Sequence, residues 1–292
     1  AVESSPDGQT LVAASEDGSL TFWNRAGERL RTVQAHQQTA FDVTFSPNGQ
    51  HIASVGWDGT IKLWHPDGTL IQALKKSRES ADQLADRINA VAFSPDNQWL
   101  AAVGLDKILR LWHRNPQGLF PLQPQLKLTG HTGTIWDVAF SPDGRMFATA
   151  SEDNTLKLWT IDGKLVHTFK GHTARVNAVT FIPPHAGLPT AWGTVIASAS
   201  WDRTIKLWKL DGTLLTTLEG HEERVLDVAF YPATQGKKPL LVSAGLDNLV
   251  ILWSLDKVLD ENQIRRSSCT WVQDYLKPHA ERGPLQSLCP RK

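Results

Sequence analysis

The chain is expected to be an all-β fold, one four-stranded unit repeated six times, and three observations predict it. Trp23, Trp64, Trp112, Trp159, Trp208 and Trp253 recur at intervals of 41, 48, 47, 49 and 45 residues, a period that belongs to repeat architectures. Between the tryptophans lie short alternating runs separated by Gly, Pro, Asn and Asp, as strands and turns require. No stretch inside the unit has a helical period.

The unit around Trp159 shows the elements in order. Ile135, Asp137 and Ala139 alternate with Trp136, Val138 and Phe140, which predicts the first strand. Ser141-Pro142-Asp143-Gly144 supplies the turn residues that follow. A second strand is expected over Met146–Ser151, ending at Glu152-Asp153-Asn154. The third is expected over 155–159 and the fourth over 164–169, with Asp162-Gly163 between them. The same order returns around Trp208 as GHTARVNAVTF, VIASASWDRTIKLW and LDGTLLTTLEGH. One such sheet alone leaves an apolar face in water, and radial packing of the six removes that cost.

Composition narrows the partners. Thirty basic residues balance thirty acidic ones among 292, so the long-range attraction behind most nucleic-acid and anionic-membrane binding is absent. Neither class of partner is expected. With 41% hydrophobic and 21% charged residues the chain is expected to fold around a core, and no apolar run is long enough to cross a membrane as a helix. Cys269 and Cys289 have no metal-ligand spacing and are too few for a disulfide framework. They are expected to be buried thiols in a cytoplasmic protein. There is no Gly-rich phosphate loop, no Cys-x-x-Cys and no paired set of metal ligands, so neither cofactor nor metal is expected.

Gly130-His131, Gly171-His172 and Gly220-His221 open units, and Leu-Trp closes most third strands. On these motifs residues 1 to about 254 resemble the WD-repeat β-propeller family. The third-strand endings depart slightly from its Trp-Asp, reading Trp159-Thr160 and Trp208-Lys209. The resemblance implies a hydrogen-bonded chain inside each blade through His131, Ser151, Asp153 and Trp159, and again through His172, Ser200, Asp202 and Trp208. Gly56, Gly104 and Gly245 stand at the serine position of units two, three and six, so those networks are expected to be incomplete. A recurring His, Ser and Asp also suggests a catalytic triad, but a nucleophile is one strained, exposed site and not a repeated one. No catalytic residue is expected.

The resemblance also implies a ligand face, built from two first-strand residues and the residue before the turn Asp of each unit. These are Thr39, Phe41 and Trp57; Arg87, Asn89 and Leu105; Thr134, Trp136 and Glu152; Arg175, Asn177 and Trp201; Arg224, Leu226 and Leu246; and Glu16. Phe41, Trp57, Trp136 and Trp201 with Arg87, Arg175 and Arg224 make it apolar and cationic, which suits an acidic, hydrophobic peptide. The competing expectation is that Trp57 and Trp201 only cover a neighbouring blade. Glu16 and Glu152 alone do not supply the carboxylate cluster of a propeller hydrolase.

The units are placed at 1–34, 35–76, 77–130, 131–170, 171–219 and 220–254. The third lacks its Gly-His and carries the charged insertion 75–83, so it is expected to be the weakest. Ala1-Val2 already reads as a first strand, so a strand closing the ring is expected upstream, in a propeller of seven blades or more. Residues 255–292 form a C-terminal extension with helical spacing at Cys269, Val272 and Leu276. Its segment 268–276 is similar to the ends of large cyanobacterial WD-repeat proteins, which often carry an upstream NTPase domain of the STAND class. The likeness implies a sensor or scaffold module of a larger regulatory protein, with that NTPase domain as a partner.

Overall fold

In each unit the second strand turns into the third at an Asp followed by a residue in the left-handed region. Gly18 and Gly59 fill that position in the first two units, and Lys107, Asn154, Arg203 and Asn248 in the others, with φ between 62° and 82°. Asp153 Oδ1 accepts the backbone N–H of Thr155 at 3.0 Å, and Asp202 Oδ1 accepts that of Thr204 at 3.0 Å. The aspartate thus closes the turn that its neighbour's backbone bends.

The computed structural model describes residues 1–75, 86–184, 192–232 and 239–255. Blade one is β1 (Val2–Ser4), β2 (Thr10–Ala14), β3 (Ser19–Asn24) and β4 (Arg29–Gln34). Blade two is β5 (Ala40–Phe45), β6 (Ile52–Gly56), β7 (Thr60–Trp64) and β8 (Leu70–Lys75). Blade three is β9 (Ile88–Phe93), β10 (Trp99–Gly104), β11 (Leu109–His113) and β12 (Leu126–Leu128). Blade four is β13 (Ile135–Phe140), β14 (Met146–Ser151), β15 (Thr155–Thr160) and β16 (Leu165–Lys170). Blade five is β17 (Val176–Ile182), β18 (Val195–Ser200), β19 (Thr204–Lys209) and β20 (Leu214–Glu219). Blade six is β21 (Val225–Tyr231), β22 (Leu240–Gly245) and β23 (Val250–Ser254). Every pairing is antiparallel between consecutive strands, giving a four-stranded sheet in each of the first five blades and, among the described residues, a three-stranded sheet in blade six.

The first strands line the inside of the arc, each packed on that of the next blade. The cores lie between blades. Leu156, Leu158 and Phe169 of blade four meet Val176, Val179, Phe181 and Ile196 of blade five in one buried cluster, and the other neighbours repeat it. Apolar burial contributes about 25 cal/mol per Å², so each blade is held mainly by the blade beside it.

Each inner strand from blade two onward carries a one-residue irregularity at its start. The register shifts between Ala40 and Asp42, Ile135 and Asp137, Val176 and Ala178, and Val225 and Asp227. In blade three Val103 pairs with Ala90 and Gly104 with Ile88. The skipped residues are Phe41, Asn89, Trp136, Asn177 and Leu226, and a bulge turns such side chains out of the regular alternation.

The insertion 75–83 and the C-terminal extension, with its expected helix, Cys269 and Cys289, lie outside the described residues except for Lys75 and Leu255.

Candidate functional site

The repeated polar residues decide whether the blades carry chemistry. In blade four His131 Nδ1 lies 2.8 Å from Asp153 Oδ2, while His131 Nε2 lies 2.8 Å from Thr149 Oγ1. Trp159 Nε1 donates to the same Thr149 Oγ1 at 3.0 Å. The order is therefore Trp159 N–H to Thr149, Thr149 O–H to His131, and His131 N–H to Asp153. Blade five repeats it with Trp208, Ser198, His172 and Asp202, at 2.9, 2.8 and 2.7 Å.

The linking hydroxyl is thus not Ser151 or Ser200, as the sequence reading expects, but the residue two positions earlier. The register explains this. Trp159 pairs with Phe147 across the ladder, so its indole reaches the diagonal neighbour Thr149, whereas Ser151 lies one diagonal further. Ser151 Oγ instead donates to the Thr134 carbonyl at 3.0 Å, and Ser200 Oγ to the Arg175 carbonyl at 2.9 Å.

The corrected position also changes which blades are complete. Blade two has its network through His36, Ser54, Asp58 and Trp64, and blade six through His221, Ser243, Asp247 and Trp253. The expectation that Gly56 and Gly245 leave them incomplete is overturned. A Cβ at Gly56 would lie 2.6 Å from His36 Nδ1, so the ring uses the room that a side chain would take. Blade three does lack the network, but because Ala102 stands where the hydroxyl belongs. Trp112 Nε1 is buried without a partner among the described residues. There Asp106 pairs with Arg110 at 2.6 Å in place of a histidine.

Burial pushes the carboxyls of Asp58, Asp153 and Asp202 up, but hydrogen bonds from the histidine and the turn threonine outweigh it and hold them below the usual carboxylate range. Burial also pushes the His172 imidazole down, against the pull of Asp202. The linking hydroxyls of Ser54, Thr149, Ser198 and Ser243 are buried and saturated. Each ties a histidine to a tryptophan within its own blade.

The seven residues expected on the ligand face come together at one mouth of the central channel. Phe41 stacks on Trp57 with ring centroids 5.4 Å apart, and its other side meets Trp136 at 6.1 Å. Arg87 lies 4.2 Å over the Trp57 ring. Arg175 is sandwiched, 3.8 Å from the Trp136 centroid and 3.7 Å from that of Trp201, and Arg224 covers Trp201 from 4.1 Å. Each such contact stabilises by about 0.5–1 kcal/mol when exposed and about 2 when desolvated. Asn177 Oδ1 fixes Arg175, accepting from Nε at 3.1 Å and Nη2 at 2.6 Å.

Backbone bonds set these positions. The N–H of Trp57 donates to the Thr39 carbonyl at 3.0 Å, and that of Trp201 to the Arg175 carbonyl at 2.9 Å. Phe41 and Trp136 are bulge residues, which aims them at the mouth. The aromatics are half-buried, and Trp57, Trp136 and Trp201 each have a buried Nε1 without a partner among the described residues. Burial lowers the Arg175 guanidinium to about 10, Glu152 opposes this and Arg224 adds to it.

Sequence reasoning missed the waist of the channel. Asp42 and Asp137 line both a cavity of about 680 Å³ under the aromatic mouth and one of about 640 Å³ at the opposite mouth, with Asp227 in the first and Glu3 in the second. The signal is present as the repeated FDVTF, WDVAF and LDVAF. Asp42 Oδ2 accepts the N–H of Val91 at 2.9 Å and Asp137 Oδ2 that of Val179 at 2.8 Å, each in the following blade. Burial raises Asp42 to about 7, opposed by the Val91 N–H, and Asp137 likewise, opposed by that of Val179. Burial raises Glu3 to about 7 against a hydrogen bond with the Thr44 side chain. No group of three or more His, Cys, Asp or Glu placed to hold a metal occurs among the described residues.

Fold and site define a repeat propeller whose repeated polar residues are structural and whose distinctive chemistry lies at one channel mouth. The chain matches the family described as WD domain, G-beta repeat, over residues 1–24, 27–65, 80–113, 122–160, 163–209 and 212–254. It belongs to that family. Comparison with curated proteins returns no match.

Proposed function

We propose that the chain is a non-catalytic interaction module whose aromatic and arginine mouth binds an acidic, apolar peptide segment of a partner protein. Arg175 held between Trp136 and Trp201 is the observation that carries this reading. Its guanidinium is pre-positioned, so little side-chain entropy is lost on binding a carboxylate. Trp and Arg are also the side chains that most often anchor interfaces. Below them Asp42 and Asp137 disfavour deeper entry of an anion, which confines the acidic group to the rim. In this reading the module is cytoplasmic and serves a regulatory protein, and an NTPase domain of the same polypeptide is one candidate for the partner.

The test is selection from a synthetic library holding acidic-apolar, neutral and basic peptides. Acidic-apolar peptides are expected to be enriched, with affinity that falls as salt rises. In the Trp57→Ala, Trp201→Ala double variant they should bind at least about thirtyfold more weakly, since an anchor aromatic contributes about 2 kcal/mol or more. Enrichment of basic peptides, or equal binding by a double variant that melts as wild type does, defeats the reading.

A further inference from the structure

Each indole at the aromatic mouth has two stacking neighbours. Trp57 meets Phe41 and Arg87, Trp136 meets Phe41 and Arg175, and Trp201 meets Arg175 and Arg224. Aromatic faces set around one point form a receptor for an ammonium group from outside. Here that point is already filled, because the Arg175 guanidinium carbon lies 3.8 Å from the Trp136 centroid and 3.7 Å from that of Trp201.

The guanidinium is held along one edge. Its Nε and Nη2 both donate to Asn177 Oδ1, and Asn177 Nδ2 in turn donates to the Leu226 carbonyl of the next blade. Among the described residues no acceptor meets Nη1, and that nitrogen is not buried. Nη1 and the second N–H of Nη2 therefore form an open planar fork, the shape that takes one carboxylate through two parallel hydrogen bonds. The surroundings are largely acidic. Asp137 and Asp227 line the same cavity as Arg175 and Trp136, and Glu152 favours the charged guanidinium while Arg224 opposes it.

We propose, resting on the reading of the mouth as a peptide site, that Arg175 sets the charge the mouth selects: it fills the cage of Trp136 and Trp201, which excludes cationic side chains, and turns its open fork to one carboxylate of the ligand. That carboxylate belongs to an acidic side chain or to the end of a chain. Removing the guanidinium leaves two indole faces beside Asp137, Asp227 and Glu152, a setting that favours a cation. Arg175 is thus a specificity determinant, and its loss inverts the preference of the mouth as well as weakening it.

The test titrates three five-residue peptides of leucine and serine into the full chain by calorimetry. One carries a central glutamate and an amidated end, one has a free C-terminal carboxylate as its only acid, and one carries a central trimethyl-lysine and an amidated end. Wild type should bind a carboxylate peptide, the tighter of the two naming the source, and should not bind the trimethyl-lysine peptide. Arg175→Ala should lose at least about tenfold in carboxylate binding, since a charged hydrogen bond contributes about 1.5–3 kcal/mol, and should bind the trimethyl-lysine peptide at least about tenfold more tightly than wild type does. A folded Arg175→Ala without that gain overturns the role of Arg175 and leaves the mouth as a peptide site. Wild type that binds neither carboxylate peptide, or binds trimethyl-lysine as tightly, overturns both. Should Arg175→Ala not fold, Arg175→Lys decides: an ammonium keeps the charge without the fork, so carboxylate binding should fall at least about tenfold, and undiminished binding refutes the proposal.

Discussion

At the scale of single residues, the blade network assigns different weights to two hydroxyls that look alike in the sequence. Thr149 joins His131 and Trp159, so Thr149→Val leaves two buried polar nitrogens unpaired. A loss of about 2–4 kcal/mol is expected, because an unsatisfied buried group costs about 1–3 kcal/mol. Ser151→Ala removes the donation to the Thr134 carbonyl and the acceptor of the Asp153 N–H at 3.2 Å and should cost about 1–2 kcal/mol; denaturant melts of the two variants give the comparison, and equal losses would contradict the corrected network. Blade three permits the opposite experiment. Ala102→Ser places a hydroxyl beside the unpartnered Trp112 Nε1, at a cavity of about 10 Å³ lined by both residues, and should raise stability by about 1 kcal/mol. A destabilised variant would show that the cavity does not accept the oxygen. The histidine, aspartate and tryptophan of the network were legible from their repetition. The hydroxyl was not, since Thr149 and Ser151 share a face of one strand and only the cross-strand diagonal chooses between them.

At the scale of elements, the inner strands are tied from blade to blade through Asp42 and Asp137, whose carboxylates accept the N–H groups of Val91 and Val179. Both folded-state carboxyls lie near 7, above the usual range of an unfolded carboxylate, as does Glu3. Their contribution to stability is therefore fully present below the unfolded value and is lost as pH rises through about 7. His172, pushed down by burial, acts oppositely and loses stability as pH falls below the usual imidazole value. Comparison with the Asp42→Asn, Asp137→Asn variant isolates the carboxyls: between pH 6 and 8.5 the melting temperature of wild type should fall more than that of the variant. Parallel curves would show that these groups do not titrate in that window. The strands themselves were legible from alternation and turns. The bulges that aim Phe41 and Trp136 at the mouth were not, because an extra residue in one strand is defined only against its partner.

At the scale of the whole molecule, stability is distributed over interfaces between like units, so damage to one core should spread to its neighbours. Trp159→Ala empties a buried site where a Cβ on Gly130 would lie only 2.9 Å from the indole Cη2, and about 3–5 kcal/mol should be lost. Hydrogen exchange would then rise in blades three and four together, whereas a rise confined to blade four would argue against coupled blades. The all-β class, the repeat of the unit, the strand order and the residue types at the mouth are legible along the chain, because period and turn chemistry are local properties. Tertiary structure alone decided the hydroxyl of each network, the stacking of Arg175 between two tryptophans and the acidic waist. The hydroxyl is chosen by partners 10 to 26 positions away across the strands of one blade, whereas Arg175 on Trp136 and the carboxylates of Asp42 and Asp137 on the N–H groups of Val91 and Val179 join neighbouring blades, and only radial packing brings those residues within a few ångströms.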